Sequence, residues 1–185
     1  MPAERPHVLI VGGGVGGALA HDLPLRGFRV TLLERGELLS GASGRHHGLL
    51  HSGARYVLHD PGAARECREE NALLRRIAPQ AIEPNGGLFV AVDDHDLSYR
   101  DVFLAGCVAA GIAVEEVPAA QARAVEPALT PEVRAAFLVP DGVVDAWRLG
   151  MHFFATARAG GADIRRFTEV VAFVTAGSSI TGVEA

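Results

Sequence analysis

Residues 8–17 read Val-Leu-Ile-Val-Gly-Gly-Gly-Val-Gly-Gly, and the predicted architecture of the chain follows from them. The four apolar residues form a short continuous run, which is typical of a strand buried on both faces of a parallel sheet. The glycines that follow match the pattern G-x-G-x-x-G with Gly12, Gly14 and Gly17. In this pattern the first glycine permits a tight turn, the second a close approach of the backbone to a pyrophosphate, and the third close packing of helix and strand. The segment therefore predicts a dinucleotide-binding turn.

A β-α-β unit is predicted around this turn. Apolar residues recur at helical spacing over residues 18–25, and Pro24 is expected to bend the helix or end it early. Residues 28–33 form a second apolar run that ends at Glu34, 22 residues after Gly12. The right-handed crossover rule places both strands in one parallel sheet. A carboxylate at the end of the second strand can accept hydrogen bonds from a ribose hydroxyl, so Glu34 completes the dinucleotide signature.

The composition argues against several classes of protein. All 17 basic residues are arginine, so the chain offers neither a Schiff-base lysine for pyridoxal phosphate nor a P-loop lysine. The net charge of −5 argues against a general nucleic-acid binder, which needs a basic face. Cys67 and Cys107 fit neither a metal spacing nor a disulfide framework, which favours a reducing compartment. Residues 8–20, the longest apolar stretch, are too few for a membrane span, so we expect a soluble cytoplasmic chain.

Helix and strand patterns alternate along the rest of the chain. Residues 36–59 are rich in Gly, Ser and His and are predicted to form a long irregular loop, which in a compact domain is usually functional. Helices are predicted at residues 62–78, 97–110, 119–125 and 146–159, the last with Leu149, Phe153 and Ala157 on one face. Strands are predicted at residues 88–92, 113–117 and 164–167, with hairpins that join 135–139 to 143–144 and 170–174 to 180–183.

Four of the eight histidines fall within 14 residues of the predicted loop, namely His46, His47, His51 and His59. Imidazole is a common metal ligand, but the loop has no cysteine, a single nearby carboxylate at Asp60 and no zinc-like spacing, so no metal site is predicted. The alternatives are a purely structural loop and contacts with a flavin or a substrate. Small residues in this loop leave room for a flat ring system. No regular β-α unit follows the second strand, as an NAD domain would require, and FAD is therefore favoured.

Residues 41–56 read Gly-Ala-Ser-Gly-Arg-His-His-Gly-Leu-Leu-His-Ser-Gly-Ala-Arg-Tyr and resemble the flavin loop of FAD-dependent glycerol-3-phosphate dehydrogenases. The strongest likeness is to the large subunit of the anaerobic, multi-subunit type, because His47 and Gly48 stand where aerobic relatives have Ser-Lys. These enzymes belong to the D-amino-acid-oxidase-like flavoprotein superfamily. Further similar stretches lie at residues 64–67, 70–71, 75–78, 83–89 and 139–145.

The resemblance implies roles for individual residues of the cofactor site. Glu34 and Arg35 would contact the adenosine ribose, and the backbone of Val170 would contact the adenine. The stretch from the pyrophosphate to the isoalloxazine would be lined by Ala42, Ser43, His47, Gly48 and Leu49.

The resemblance also implies a substrate site. Arg55 and Tyr56 match an Arg-Tyr pair near the substrate in the family. Arg55 suits a phosphate because its planar guanidinium can bind two oxygens at once, the alternative being an ion pair within the loop. His51 either positions the ring, which is the favoured role, or accepts the proton of the substrate hydroxyl.

The implied reaction is oxidation of sn-glycerol 3-phosphate to dihydroxyacetone phosphate, with hydride transfer to N5 of the flavin. Electrons would pass to quinone through partner subunits, one of which carries iron–sulfur clusters, at the inner face of the membrane. One alternative is an FAD-dependent 2-hydroxyacid dehydrogenase of the L-2-hydroxyglutarate type, whose flavin loop also contains His-Ser-Gly. Another is an inactive fragment that at most binds FAD.

The predicted fold class is α/β. Residues 1–80 and 146–185 are assigned to an incomplete, Rossmann-like FAD-binding domain, and residues 81–145 to part of an inserted α+β substrate domain. The later glycine-rich strand that closes the flavin site in the family is missing. The chain is therefore expected to be an N-terminal fragment, and turnover by these 185 residues alone is not expected.

Overall fold

The computed structural model describes residues 5–185, which form two compact units. The first unit comprises the chain up to His47 together with Asp145–Ala185, and the second comprises Gly48–Val144. The division differs from the predicted one, because residues 48–80 belong to the second unit instead of the first. The assignment of the units to cofactor and substrate binding stays a prediction.

The described residues contain eleven strands and six α-helices. The strands are β1 (His7–Val11), β2 (Arg29–Leu33), β3 (Leu49–Leu50), β4 (Ile82–Glu83), β5 (Gly87–Ala91), β6 (Glu115–Val117), β7 (Ala135–Val139), β8 (Gly142–Val144), β9 (Asp163–Arg165), β10 (Ala172–Ala176) and β11 (Ser179–Glu184). The α-helices are α1 (Gly16–Leu25), α2 (Pro61–Ile77), α3 (Asp94–Ser98), α4 (Arg100–Ala110), α5 (Ala119–Val125) and α6 (Ala146–Ala159). Short 3₁₀ turns lie at Ala42–Gly44, Ala54–Tyr56 and Pro79–Ala81.

The first unit is built on a parallel sheet with the strand order β1-β2-β9. His7 lies opposite Arg29 at the start of the β1–β2 ladder, so the predicted β-α-β unit is confirmed. Val30 and Thr31, which point to opposite faces of the central strand, are 1 % and 9 % exposed, as a strand covered on both faces requires. Helix α1 includes Pro24 and extends to Leu25, the last residue of the predicted helical pattern, so the expected early end does not occur. Strands β10 and β11 form the predicted antiparallel hairpin.

Helix α1 packs through its glycines. A Cβ atom on Gly16 would lie 2.8 Å from Cγ2 of Ile10 in β1, and one on Gly17 would lie 2.8 Å from Cζ of Phe154 in α6. The close approach of helix to strand therefore occurs at Gly16. Gly17, which was predicted for that contact, instead allows α6 to approach α1.

Helix α6 presents a different face to the core from the one predicted. It buries Gly150, Phe154 and Ala157, whereas the prediction placed Leu149 and Phe153 beside the alanine. The physical reason is Gly150, which has no side chain and lets the helix lie directly against Leu39, a buried residue of the segment that follows β2.

The second unit contains two antiparallel three-stranded sheets. Strand β8 lies between β3 and β4, and β7 lies between β5 and β6. An apolar core that includes Phe103, Cys107 and Phe137 joins α4 to β7. Helix α2 packs against α4, and β3 pairs with β8, which explains why residues 48–80 belong to this unit.

The predicted hairpin over residues 135–144 is wrong. Strand β7 pairs only within one sheet and β8 only within the other, so the two consecutive strands diverge. Nη2 of Arg75 donates to the carbonyls of Pro140 and Asp141, each at 3.0 Å, and the Asp141 carboxylate accepts from the backbone N–H of Ser52. These bonds occupy the connecting residues and lead the chain from one sheet to the other.

Two other segments differ from their predictions. The helix expected over residues 97–110 is divided into α3 and α4, because Asp93 caps a helix that begins earlier, its carboxylate accepting from the N–H of Asp96 at 2.8 Å. The hydroxyl of Ser98 donates to the His95 carbonyl where α3 ends, which competes with continued helix. The loop expected over residues 36–59 contains β3 and two 3₁₀ turns.

The two thiols of the second unit differ in accessibility. Burial raises the pKa of the Cys107 thiol to about 11, and burial together with the Glu66 carboxylate raises the pKa of Cys67. The thiolate is the reactive form, so raised pKa values suppress alkylation near neutral pH. We expect iodoacetamide at pH 8 to label Cys67 slowly and to label Cys107, which is 0 % exposed, only after unfolding in urea. Mass spectrometry of tryptic peptides measures both rates, and equal labelling of the two thiols in the folded protein would contradict the buried position of Cys107.

The contact between α6 and α1 predicts a large effect of Phe154→Ala. The ring is 2 % exposed, so its removal leaves a cavity and should lower the free energy of unfolding by about 3–5 kcal/mol. The matched control is Phe173→Ala, whose ring is 62 % exposed and whose loss should cost no more than about 0.5 kcal/mol. Urea unfolding followed by circular dichroism measures the difference, and similar midpoints for the two variants would contradict this packing.

Candidate functional site

The glycine turn of the first unit is tied to the end of β2 by one carboxylate. Oε2 of Glu34 accepts from the backbone N–H of Gly13 at 2.7 Å, and Oε1 accepts from the N–H of Gly36 at 2.9 Å. The N–H of Gly12 donates to the Leu33 carbonyl at 2.8 Å. Each carboxylate oxygen has a further lone pair, so Glu34 can hold the turn and still accept a ligand hydroxyl.

A cavity of about 420 Å³ opens in front of this turn. A Cβ atom on Gly14 would lie 2.6 Å from Oγ of Ser43, and one on Gly13 would lie 2.9 Å from Cδ2 of Leu38. The bare backbone therefore leaves space that any side chain would fill. Its lining consists of glycine and small residues with two arginines, namely Gly12, Gly13, Gly14, Glu34, Arg35, Leu39, Ser40, Gly41, Ala42, Ser43 and Arg45.

The chemistry of this cavity fits the diphosphate of a dinucleotide. Backbone at residues 12–14 faces it, helix α1 begins two residues later, and helix N-termini favour anions. Arg35 and Arg45 add positive charge at its wall. Arg45 was not predicted as a site residue, although a cation within the small-residue loop was the signal that could have identified it.

A second cavity of about 290 Å³ shares Gly12, Glu34 and Arg35 with the first. Its remaining wall includes Thr168 and Val170. The segment is fixed there because the N–H of Thr168 donates to the Glu34 carbonyl at 2.9 Å. The structure thus brings Val170 to the same cavity as Glu34 and Arg35, although it lies far from both in sequence.

The other predicted cofactor residues are divided between the units. Ala42 and Ser43 line the first cavity of the first unit, whereas His47, the last residue of that segment, is exposed and lines neither cavity. Gly48 and Leu49 belong to the second unit, where the Gly48 carbonyl accepts from the Val144 N–H at 2.7 Å and Leu49 pairs within β3.

In the second unit the backbone around His51 is held by α2. Nδ2 of Asn71, a buried side chain, donates to the carbonyls of Leu50 at 3.2 Å and His51 at 3.1 Å. Its Oδ1 accepts from Nε of Arg75 at 2.6 Å, and Arg75 also binds the carbonyls of residues 140 and 141. Two segments that are about ninety residues apart are therefore held in a fixed relation by one helix face.

The Asp141 carboxylate lies beside His51 within this frame. Its Oδ1 accepts from the Ser52 N–H at 2.6 Å, and its Oδ2 lies 3.5 Å from Nδ1 of His51. The His51 and Asp141 side chains are 20 % and 11 % exposed. Sequence reasoning identified His51 but not Asn71, Arg75 or Asp141, whose sole signal was their position in the stretches that carry the resemblance.

Arg55 and Tyr56 lie in the 3₁₀ turn that precedes α2. The turn approaches α2 so closely that a Cβ atom on Gly53, which has φ of +99°, would overlap the Ala64 carbonyl. Arg55 is exposed and makes no ion pair or side-chain hydrogen bond within residues 5–185. Tyr56 packs against the apolar core.

Arg55 lines a cavity of about 200 Å³ whose floor contains Phe89, Phe103 and Phe137. Arg100, on the same wall, is bound to Glu116, and this hydrogen bond raises its pKa. The cavity is lined by neither His51 nor Tyr56. The three predicted catalytic residues therefore share one short segment of the second unit but not one cavity of it.

The described residues contain neither a membrane-crossing helix nor a metal cluster. None of the helices within residues 5–185 is long and apolar enough to cross a membrane. In the same range, no three side chains of His, Cys, Asp or Glu are grouped so that they could hold a metal ion.

Comparisons with known proteins agree with this geometry. Residues 7–185 match the FAD dependent oxidoreductase (DAO) family. The chain is 46 % identical over 98 % of its length to the A subunit of anaerobic glycerol-3-phosphate dehydrogenase from Escherichia coli, of which it covers 34 %. It is 45 % identical over 98 % of its length to the A1 subunit of the same enzyme from Haloferax volcanii, of which it covers 31 %. The crystal structure of L-proline dehydrogenase from P. horikoshii superimposes with a TM-score of 0.84 at 26 % identity, over 97 % of this chain and 49 % of that one.

The Glu34 bonds predict a loss of cofactor affinity in Glu34→Ala. The variant removes both ties to the glycine turn and the acceptor predicted for a ribose hydroxyl, so the dissociation constant for FAD should rise roughly 10- to 100-fold, as expected for hydrogen bonds to a charged group. The control is Glu37→Ala, which removes only an exposed ion pair with Arg166. Quenching of flavin fluorescence on titration measures both constants, and equal affinities for the two variants would show that Glu34 does not contribute.

Proposed function

Because the chain belongs to the FAD-dependent oxidoreductase family, we propose that it holds FAD and serves the oxidation of sn-glycerol 3-phosphate to dihydroxyacetone phosphate. The observation that carries the proposal is the similarity to the two glycerol-3-phosphate dehydrogenase subunits, which extends over nearly the whole chain. The chain spans about a third of the length of these curated relatives. Substrate, activity and partners are therefore proposed for the complete protein.

In this proposal the first unit binds FAD through residues already arranged for it. Gly12 and Gly14 present bare backbone to the diphosphate, and Ser43 faces them across the cavity. Glu34 and Arg35 hold the ribose, with Val170 beside the adenine. FAD, when bound, supplies the two-electron acceptor for the hydride of an alcohol.

The second unit supplies the groups proposed to act on the substrate. Oxidation of the C2 alcohol to a ketone removes a hydride from carbon and a proton from the hydroxyl group. Arg55 is proposed to bind the phosphate, because its guanidinium is exposed and not engaged by any described carboxylate. His51 is proposed to accept the hydroxyl proton at Nε2. The Asp141 carboxylate beside Nδ1 supports this role over simple positioning of the ring.

The proposed route for the electrons is through partner subunits to quinone. It rests on the relatives, which are subunits of a larger enzyme by name, and on the resemblance to the large subunit of the anaerobic type, whose partners include an iron–sulfur protein. The same resemblance supports a location at the inner face of the membrane, reached through those partners.

The substrate is tested on the protein produced from its complete reading frame and loaded with FAD. Reduction of an artificial dye acceptor is followed with sn-glycerol 3-phosphate and, separately, with L-2-hydroxyglutarate. We expect turnover with the first compound and none above background with the second. The reverse result would establish the 2-hydroxyacid dehydrogenase instead, and flavin binding without turnover of either would exclude both substrates.

The proposed contact between Arg55 and the substrate phosphate predicts that a variant at this position binds the phosphorylated alcohol more weakly. Arg55→Gln should raise KM for sn-glycerol 3-phosphate roughly 10- to 100-fold, as expected for the loss of a charged hydrogen-bond pair. The kcat/KM for glycerol, which lacks the phosphate that Arg55 is proposed to bind, should stay unchanged. The matched control is Arg65→Gln, an exposed arginine on α2. Steady-state kinetics with both alcohols separate the effects, and an equal loss with glycerol would mean that Arg55 does not contact the phosphate.

A further inference from the structure

We propose that Asp141 is the positioning residue that selects the protonation form of His51, and this inference rests on the proposed function. The carboxylate is 8 % exposed as a residue, lies 3.5 Å from Nδ1 of His51 and comes from a segment 90 positions further along the chain. Catalytic hydrogen bonds are often long without ligand and shorten in the loaded complex.

The chemistry of the two side chains makes the selection. A neutral imidazole carries a proton on one nitrogen and a lone pair on the other, and an ionised carboxylate can only accept. Asp141 therefore stabilises the form of His51 with its proton on Nδ1. That form leaves the lone pair on Nε2, which is the atom that must accept the substrate proton. After the transfer the imidazolium faces a buried negative charge, which stabilises it.

The carboxylate is held so that this selection is unambiguous. Oδ1 of Asp141 is used by the Ser52 N–H at 2.6 Å, so Oδ2 is the oxygen left to face His51. A Cβ atom on Gly87 would lie 2.9 Å from Cβ of Asp141, and Arg75 binds the Asp141 carbonyl from the other side. The Asp141 side chain therefore packs directly against residue 87, where any side chain would displace the carboxylate.

The backbone of His51 is held by an independent bond. Nδ2 of Asn71 donates to the His51 carbonyl at 3.1 Å, and the same Asn71 binds Arg75. Arg75 in turn binds the carbonyl of residue 141. The backbones of His51 and Asp141 are therefore both tied to helix α2, and rotation of the imidazole is the remaining variable.

The variant Asp141→Asn separates positioning from structure. The Ser52 N–H needs an oxygen acceptor, so the amide oxygen of the new side chain takes the Oδ1 position and its NH₂ group faces Nδ1 of His51. A donor at that place favours the form of His51 with its proton on Nε2. In that form Nε2 has no lone pair with which to accept the substrate proton. The backbone bond to Ser52 is retained, so the fold and the FAD content should be unchanged.

We expect Asp141→Asn to lower kcat for sn-glycerol 3-phosphate by roughly 100-fold or more, which is the lower range of general base catalysis, with KM changed less than threefold. The control Asp93→Asn removes one charge from a carboxylate that also accepts a backbone N–H but has no role at His51, and it should leave kcat unchanged. The double variant Asp141→Asn/His51→Asn should be no slower than His51→Asn alone, because Asp141 acts through His51. Additive losses, or a kcat within threefold of wild type in Asp141→Asn, would overturn the proposal.

A second readout does not depend on turnover. In protein labelled with ¹⁵N-histidine and loaded with FAD, NMR at pH 8.5 distinguishes protonated from unprotonated ring nitrogens, and the His51 signals are assigned by their loss in His51→Asn. We expect the proton on Nδ1 in wild type and on Nε2 in Asp141→Asn. A wild-type His51 with its proton on Nε2 would contradict the positioning role whether or not the variants fold. If the NMR signals are as expected but sn-glycerol 3-phosphate is not turned over, the positioning role of Asp141 stands and the proposed substrate is wrong.

Discussion

The first unit depends on a turn in which three glycines leave no room for a Cβ atom. Between β1 and α1 the chain must leave the sheet, start a helix and keep its backbone open to an anion. Side chains at Gly13, Gly14 and Gly16 would collide with Leu38, Ser43 and Ile10 respectively. Because two of these contacts come from the segment after β2 and one comes from β1, the glycines decide how closely that segment and the strand can approach the turn and α1. The Glu34 carboxylate then fixes the turn from the end of the neighbouring strand.

The second unit is organised by a partly buried polar network instead of a bare backbone. Asn71 and Arg75, one helical turn apart on α2, bind the carbonyls of two distant segments. The Asn71 and Asp141 side chains are buried, and a buried polar group is costly to leave unsatisfied, so their bonds restrict the alternatives for the rest of the network. The network also explains why β7 and β8 diverge. The residues between them are engaged by α2 and by Ser52, and they place a carboxylate beside His51 where a hairpin turn would have exposed it to solvent.

The sequence allowed the local part of this structure to be predicted and not the part set by distant pairs. The β-α-β unit and the position of Glu34 at the end of its second strand follow from residues within one element of each other. The hairpin at 135–144 was predicted because Asp141-Gly142 is a residue pair typical of two-residue turns. In the structure, long-range bonds to Arg75 and Ser52 hold these residues instead, and the two strands pair in different sheets. Asp141 was overlooked for the same reason, since a turn aspartate and a buried partner of histidine look alike in sequence.

The absence of lysine has a structural consequence beyond the chemistries that it excludes. Arg75 donates through Nε to Asn71 and through Nη2 to two carbonyls, so one side chain binds three acceptors in fixed directions. An ammonium group is a point charge on a flexible stem and could not orient these acceptors in the same way. The guanidinium of Arg75 therefore connects the His51 segment, which it reaches through Asn71, to the Asp141 segment, which it binds directly. The relative position of the His51 and Asp141 side chains is therefore set by the geometry of the Arg75 guanidinium, whose hydrogen bonds go to Asn71 and to backbone carbonyls.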